Sequence, residues 1–391
     1  MKKLITITLL LLMTTPCLRA QRKEISQARS YIKSGANLDK AVELMKGLLA
    51  KDSTNRHNPK IYTTWFDAVE KQYAAGNEKL YLKQQYDTAA LFGYAREMFA
   101  IIARLDSVDT SQRKKYSEIL NNYRPNLYYG GSFFVRKGQF DHGFDLFDCY
   151  IGTASHPMFD RFNYAQRDGR LAEAAYWATY CGYMMKSPER IMKFTDMAEG
   201  DSAKLKYTLR YRAEAYLQLN DMENYLITLK RGFEAYPEFR YFFPQLMDYY
   251  NERKDYENAL QIANEALQTD STNVLFLFAK STVLLNMGRS DECIRVSERI
   301  LHINDTLPLP HYNLGTALLN KAVELEKDIR KNKAQLTAIY REALPYMERF
   351  RALAPDQKKM WAPALYRIYL NLNMGKQFEE IDKIINTTNN L

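Results

Sequence analysis

Residues 206–239 read KYTLRYRAEAYLQLNDMENYLITLKRGFEAYPEF, followed by RYFFPQLMDYYNERKDYENALQIANEALQTDSTN over 240–273 and VLFLFAKSTVLLNMGRSDECIRVSERILHIND over 274–305. Laid one above the other, they put Ala213, Met247 and Ser281 in one column, and Gly315 continues it at the same 34-residue step. Just after each of the first three comes a larger side chain: Tyr216, Tyr250 and Leu284. A small or medium residue followed by a bulky one lets helices approach closely while the bulk fills the space between repeats. Short polar turns follow, in which Asp221 and Asp255 are placed to cap a second helix. Ala259, Ala263 and Ala266 then recur at helical spacing. Pro237 and Asp270-Ser271-Thr272-Asn273 close two units, because proline and Asx/Ser residues stop helices and turn the chain. A helix–turn–helix unit repeating at this length implies a solenoid.

In spacing and residue class these units resemble the tetratricopeptide repeat family, most clearly over 125–157 and 206–355. The overall style is similar to the exported tetratricopeptide proteins of Bacteroidetes. The resemblance implies an all-α, right-handed superhelical solenoid of antiparallel helix pairs filling residues 21–391. Leu127, Gly131, Phe134, Gly143, Phe147 and Pro157 mark a further unit, and Gly130-Gly131 reads as close helix packing rather than a phosphate loop. Ala28, Tyr31, Gly35, Ala41 and Met45 suggest one at the start, closed by Asp52-Ser53-Thr54-Asn55, the same tetrapeptide as at 270–273. Residues 169–203 read as a divergent unit, with Ser187-Pro188-Glu189 opening its second helix.

The period is interrupted twice. Residues 59–106 form an enlarged unit of long helices around Trp65 and Phe99, and 111–122 reads as a spare helix running into Arg124-Pro125. In the late-closing unit 315–355 the extra piece Lys321–Lys333 carries eight charged residues in thirteen. It is expected to lengthen the first helix, with Pro345 kinking or delaying the second.

In the family the concave surface is lined by turns of each first helix. Carried over, that gives the candidate partner groove Tyr128, Tyr207, Arg210, Glu214, Tyr241, Asp248, Phe278 and Tyr312. The family's clamp for a terminal carboxylate uses lysine and asparagine. Here its places hold Arg210 with Glu214, Pro244 with Asp248 and Phe278 with Thr282, so that mode is not expected. An aromatic, mixed-charge surface suits apolar or extended peptide segments. The other tyrosines, such as Tyr216, Tyr250 and Tyr256, are expected in the core.

The chain opens Met1-Lys2-Lys3, runs apolar from Leu4 to Met13 and reaches Pro16-Cys17-Leu18-Arg19-Ala20. This pattern reads as a signal peptide over 1–20 cleaved after Ala20, with lipidation of Cys17 as the rival reading. Cleavage lowers the net charge from +9 to +6, since Lys2, Lys3 and Arg19 leave with it. So mild an excess does not suggest nucleic acid. Cys149, Cys181 and Cys293 have no paired or metal-ligand spacing and are expected to be small buried side chains. The scattered His57, His142, His156, His302 and His311 have no partner at metal spacing. No catalytic constellation, metal site or cofactor motif is present, and an enzyme is not expected. The sequence thus points to an exported, periplasmic or envelope scaffold that holds a protein or peptide partner. The alternative is a peptide- or glycan-binding component of nutrient capture.

Overall fold

The computed structural model describes residues 21–388, so the expected signal peptide and Cys17 lie outside the described residues. Among these residues all regular structure is helical, and within each of two units most helices pack against a neighbour in sequence. The described residues divide into two compact units, one ending at Met222 and the other beginning at Glu223.

In the first unit, α1 (residues 21–34) and α2 (Leu38–Lys51) make a pair, followed by α3 (Pro59–Tyr81) with α4 (Thr88–Asp106) and α5 (Arg113–Arg136) with α6 (Phe140–Gly152). A short helix α7 (Tyr164–Arg167) leads to α8 (Leu171–Met184), whose partner is broken into α9 (Pro188–Met192) and α10 (Thr195–Ala198). Helix α11 (Leu205–Gln218) ends the unit, and α12 (Met222–Ala235) crosses the division at its first residue. The second unit continues with α13 (Phe242–Glu252), α14 (Tyr256–Thr269), α15 (Val274–Asn286) and α16 (Ser290–Ile303). It closes with α17 (Pro308–Leu325), α18 (Ile329–Leu353), α19 (Lys358–Asn371) and α20 (Gly375–Thr388).

The repeated column is buried throughout: Ala213, Met247, Ser281 and Gly315 all lie inside. The bulky residues after it have a second role at the backbone. Asn220, Lys254 and Gly288, again spaced by the repeat, adopt left-handed φ of 57°, 55° and 73°. The next amide in each case donates back to the carbonyl of Tyr216, Tyr250 or Leu284 at 2.9 Å. This is the Schellman closure, in which one left-handed residue reverses the chain and satisfies a carbonyl that the helix end leaves open. The same closure follows Phe134, Gly182 and Tyr369. Repeat ends also share a device. The carboxylate of Asp52 or Asp270, or the amide oxygen of Asn304, accepts the backbone N–H two residues on, at 2.8–3.0 Å. After that the two identical tetrapeptides diverge. Asn273 caps α15, whereas Asn55 is buried, donating to the Leu48 carbonyl and accepting from Gln21.

Of the helix starts marked in the sequence, Ser187 accepts from the Arg190 amide and Asp255 from the Asn258 amide, each at 3.4 Å. Ala259, Ala263 and Ala266 are fully buried. Gly130 and Gly131 are packing glycines: a Cβ on Gly131 would stand 2.7 Å from the Phe147 ring, and one on Gly130 2.8 Å from Phe92.

Three local expectations are corrected. Residues 111–122 do not form a spare helix, because α5 runs from Arg113 through Pro125 to Arg136 without a break. A proline inside a helix forfeits one hydrogen bond, yet Arg124 beside it is anchored by partners distant in sequence, described below. The extra piece 321–333 is not a first-helix extension alone. It lengthens α17 to Leu325, turns at Glu326–Asp328 and supplies the start of α18, which continues through Pro345. The turn is held from outside, for Glu326 pairs with Arg367 at 2.7 Å and accepts from the Tyr340 hydroxyl. Finally, Tyr250 is buried but Tyr216 and Tyr256 are half-exposed. Tyr256 is the first residue of α14, so its side chain, tilted toward the N-terminus, has no preceding turn to cover it.

Candidate partner-binding surfaces

In the first unit, Tyr128 lies half-buried on α5, its ring 5.8 Å from Phe147 and 5.6 Å from Tyr150, with Arg170 above it. Burial, with a hydrogen bond to Glu173, pushes its phenol far above the usual range. Tyr207, Arg210 and Glu214 follow at helical spacing on α11 and are all half-buried. Tyr207 packs on the unit's core, and Arg210 donates to the Tyr183 hydroxyl at 2.8 Å while lying over that ring.

In the second unit, Tyr241 stands at the N-cap of α13, edge-on to the buried Phe242. Asp248 is exposed on the same helix. Phe278 on α15 and Tyr312 on α17 occupy equivalent repeat positions and are half-buried, Tyr312 lying 5.2 Å from the fully buried Phe350. Each of these aromatic residues thus shares its surface between core and outside.

One register was missed by the sequence reading. The position of Tyr241 recurs at Leu275 and Leu309, which are 47% and 39% exposed. Scattered exposed leucines are ordinary, but these two sit at the same place in consecutive repeats, at the start of a first helix. The 34-residue period alone would have found them.

A second surface lies in the first unit, mainly on second helices. A cleft of about 1340 Å³ runs along α4, between the C-terminal half of α2 and the start of α6. Phe92, Arg96, Ala100 and Arg104 step by four along α4 and so share a face, with Trp65 of α3 beneath them. Trp65 Nε1 donates to Glu97 at 3.0 Å, and Lys46 pairs with the same carboxylate at 2.7 Å. Lys46 and Arg104 both lie over the indole, at 5.2 Å and 5.8 Å. Arg96 pairs with Asp145. Among the described residues, Arg56 and Arg104 have no carboxylate partner.

The three described cysteines are free; Cys181 and Cys293 are buried as expected, whereas Cys149 is half-buried, and desolvation pushes their thiols up to about 12 for Cys149 and Cys181 and about 11 for Cys293. Of the histidines, only His311 is buried, its Nε2 hydrogen-bonded to the Asp305 carbonyl at 2.8 Å. Among the described residues no group of three His, Cys, Asp or Glu is placed to hold a metal ion. No helix there is long and apolar enough to cross a membrane.

Neither a family model nor a curated relative matches the chain. Solved structures with a similar course include the C-terminal part of a TPR repeat-containing protein from Cytophaga hutchinsonii, at 9% identity and TM-score 0.45, covering 66% of this chain and 93% of that one. Another is the TPR domain of P58(IPK), at 12% identity and TM-score 0.26, covering 94% of this chain and 99% of that one. Both are described as tetratricopeptide repeat structures.

Proposed function

We propose that this chain is an exported scaffold of the periplasm or envelope, which holds a protein partner against the exposed side of its repeats. The observation that carries this reading is the repeated apolar register in the second unit, Tyr241, Leu275 and Leu309, beside the half-buried Phe278 and Tyr312. Apolar groups set at one place in successive repeats give a row of anchor points whose spacing is fixed by the fold. A partner segment lying across the repeats meets each in turn. Export rests on the basic start, short apolar run and small residue at Ala20.

The test is a photo-reactive amino acid at Phe278, cross-linked in the native envelope, with the same residue placed at exposed Glu298 as a control. A discrete adduct from 278, lost when Leu275 and Leu309 are changed to glutamate, is the expected result. Equal adducts from both sites, or none, would remove the reading. N-terminal sequencing of the mature protein checks the export step, with Gln21 expected as its first residue. Acylation at Cys17 would overturn the soluble form and favour a capture component anchored by lipid.

A further inference from the structure

The cleft along α4 is walled mainly by second helices, with Trp65 of α3 at its base, and nothing in the candidate groove requires it. It has a length, a floor and a charge. On α4 the lining runs from Ala89 to Arg104, about 22 Å at 1.5 Å per residue. An extended segment of roughly seven residues spans that distance. The floor is the Trp65 indole with the Phe92 ring, and Leu49, Ile101 and Leu146 extend this apolar lining beneath the charged side chains.

Charge decides the occupant. The lining holds Lys46, Arg56, Arg96 and Arg104 against a single acid, Glu97. That carboxylate is already engaged by Lys46 and by the Trp65 N–H, so it does not oppose an incoming anion. Arg96 is in turn paired with Asp145 of α6. Arg56 and Arg104 are left, both exposed and both facing the cleft. Each offers a planar fork of donors that fits a carboxylate.

We propose that this cleft is a docking groove for an acidic peptide segment, its carboxylates held by Arg56 and Arg104 and an apolar side chain laid on Trp65 and Phe92. The proposal deepens the scaffold reading by giving the first unit its own class of partner. A nucleic acid is disfavoured, because two uncommitted cations beside an apolar floor do not make the long basic track that a phosphate backbone follows.

The experiment uses the chain from Gln21 with benzoylphenylalanine at Ala100, which is exposed in the cleft. The probes are labelled peptides of about ten residues, built from Asp, Leu and Gly, with Asn and Lys versions as controls. The Asp peptide should give the Ala100 adduct and bind at least about tenfold more tightly than the Lys peptide. Arg56→Glu with Arg104→Glu should weaken it by about tenfold or more, and Arg104→Gln by less, with helicity unchanged. No adduct, equal affinity for the three peptides, or displacement by an oligothymidylate of equal charge would overturn the proposal. Binding that survives the arginine changes but is lost with Leu275→Glu and Leu309→Glu would overturn it while leaving the scaffold reading in place. Failure of the Phe278 adduct, with the Ala100 adduct intact, would do the reverse.

Discussion

Arg124 and Asp168 form a buried ion pair, Nη2 to Oδ2 at 2.6 Å, with side chains only 8% and 13% exposed. The guanidinium lies between the rings of Tyr150 and Tyr164, 3.8 Å from each centroid, and its Nε donates to Thr153 at 2.7 Å. One side chain thus ties the middle of α5 to the end of α6 and to the connection before α8. It does so beside Pro125, where the helix lacks a backbone hydrogen bond.

Removing one partner leaves the other buried and unpaired, so Asp168→Ala should cost about 3 kcal/mol or more in urea unfolding. Arg124→Met with Asp168→Leu should cost less than that single change. Burial raises the Asp168 carboxyl, but the Tyr150 hydroxyl, the Arg170 amide and Arg124 together hold it below the usual range. Its contribution is therefore present above the unfolded value of about 4 and lost as pH falls through the lower folded value. Asp168→Asn should flatten that acid limb, and an unchanged limb would contradict the assignment.

Lys254 stands at φ 55° where the neighbouring repeat has Gly288. A left-handed lysine costs roughly 1 kcal/mol, and glycine returns part of that gain through the entropy of the unfolded chain. Lys254→Gly should raise stability by up to about 0.5 kcal/mol, read as a higher melting temperature. A lower one would show that the turn is not limited by its backbone.

Two packing glycines should respond differently to the same methyl group. Gly131 faces the rigid Phe147 ring at 2.7 Å, while Gly315 faces the flexible end of Met347 at 2.8 Å. Gly131→Ala should cost roughly 2 kcal/mol. Gly315→Ala should cost clearly less, because methionine moves aside. Equal losses in chemical denaturation would refute the distinction.

Deleting 321–333 should disrupt the second unit, since that piece contains the turn and Glu326, which binds both Arg367 and Tyr340. A milder change, Glu326→Gln, should cost about 1 kcal/mol. Cooperative unfolding retained in the deletion would show that the two helices can close without their turn.

What could be read along the chain was whatever repeats locally. The column through Ala213, Met247, Ser281 and Gly315, the alanines of α14 and the glycine pair on α5 all follow from spacing and side-chain size. One misread proline shows the limit. Pro125 looks like a stop, and only Thr153, Tyr164 and Asp168 explain why α5 passes through it. The half-exposed Tyr216 and Tyr256 were misplaced because burial depends on what covers a position, not on its column.

The sequence by itself determined the architecture, because each repeat states its helix, turn and packing residues within 34 positions. The tertiary structure decided the cleft. Lys46, Arg56, Trp65 and Arg104 belong to no motif, and they converge only because α2, α3 and α4 stack side by side. A period fixes what lies between neighbouring helices; the surface that several helices make together depends on how their unequal lengths are packed.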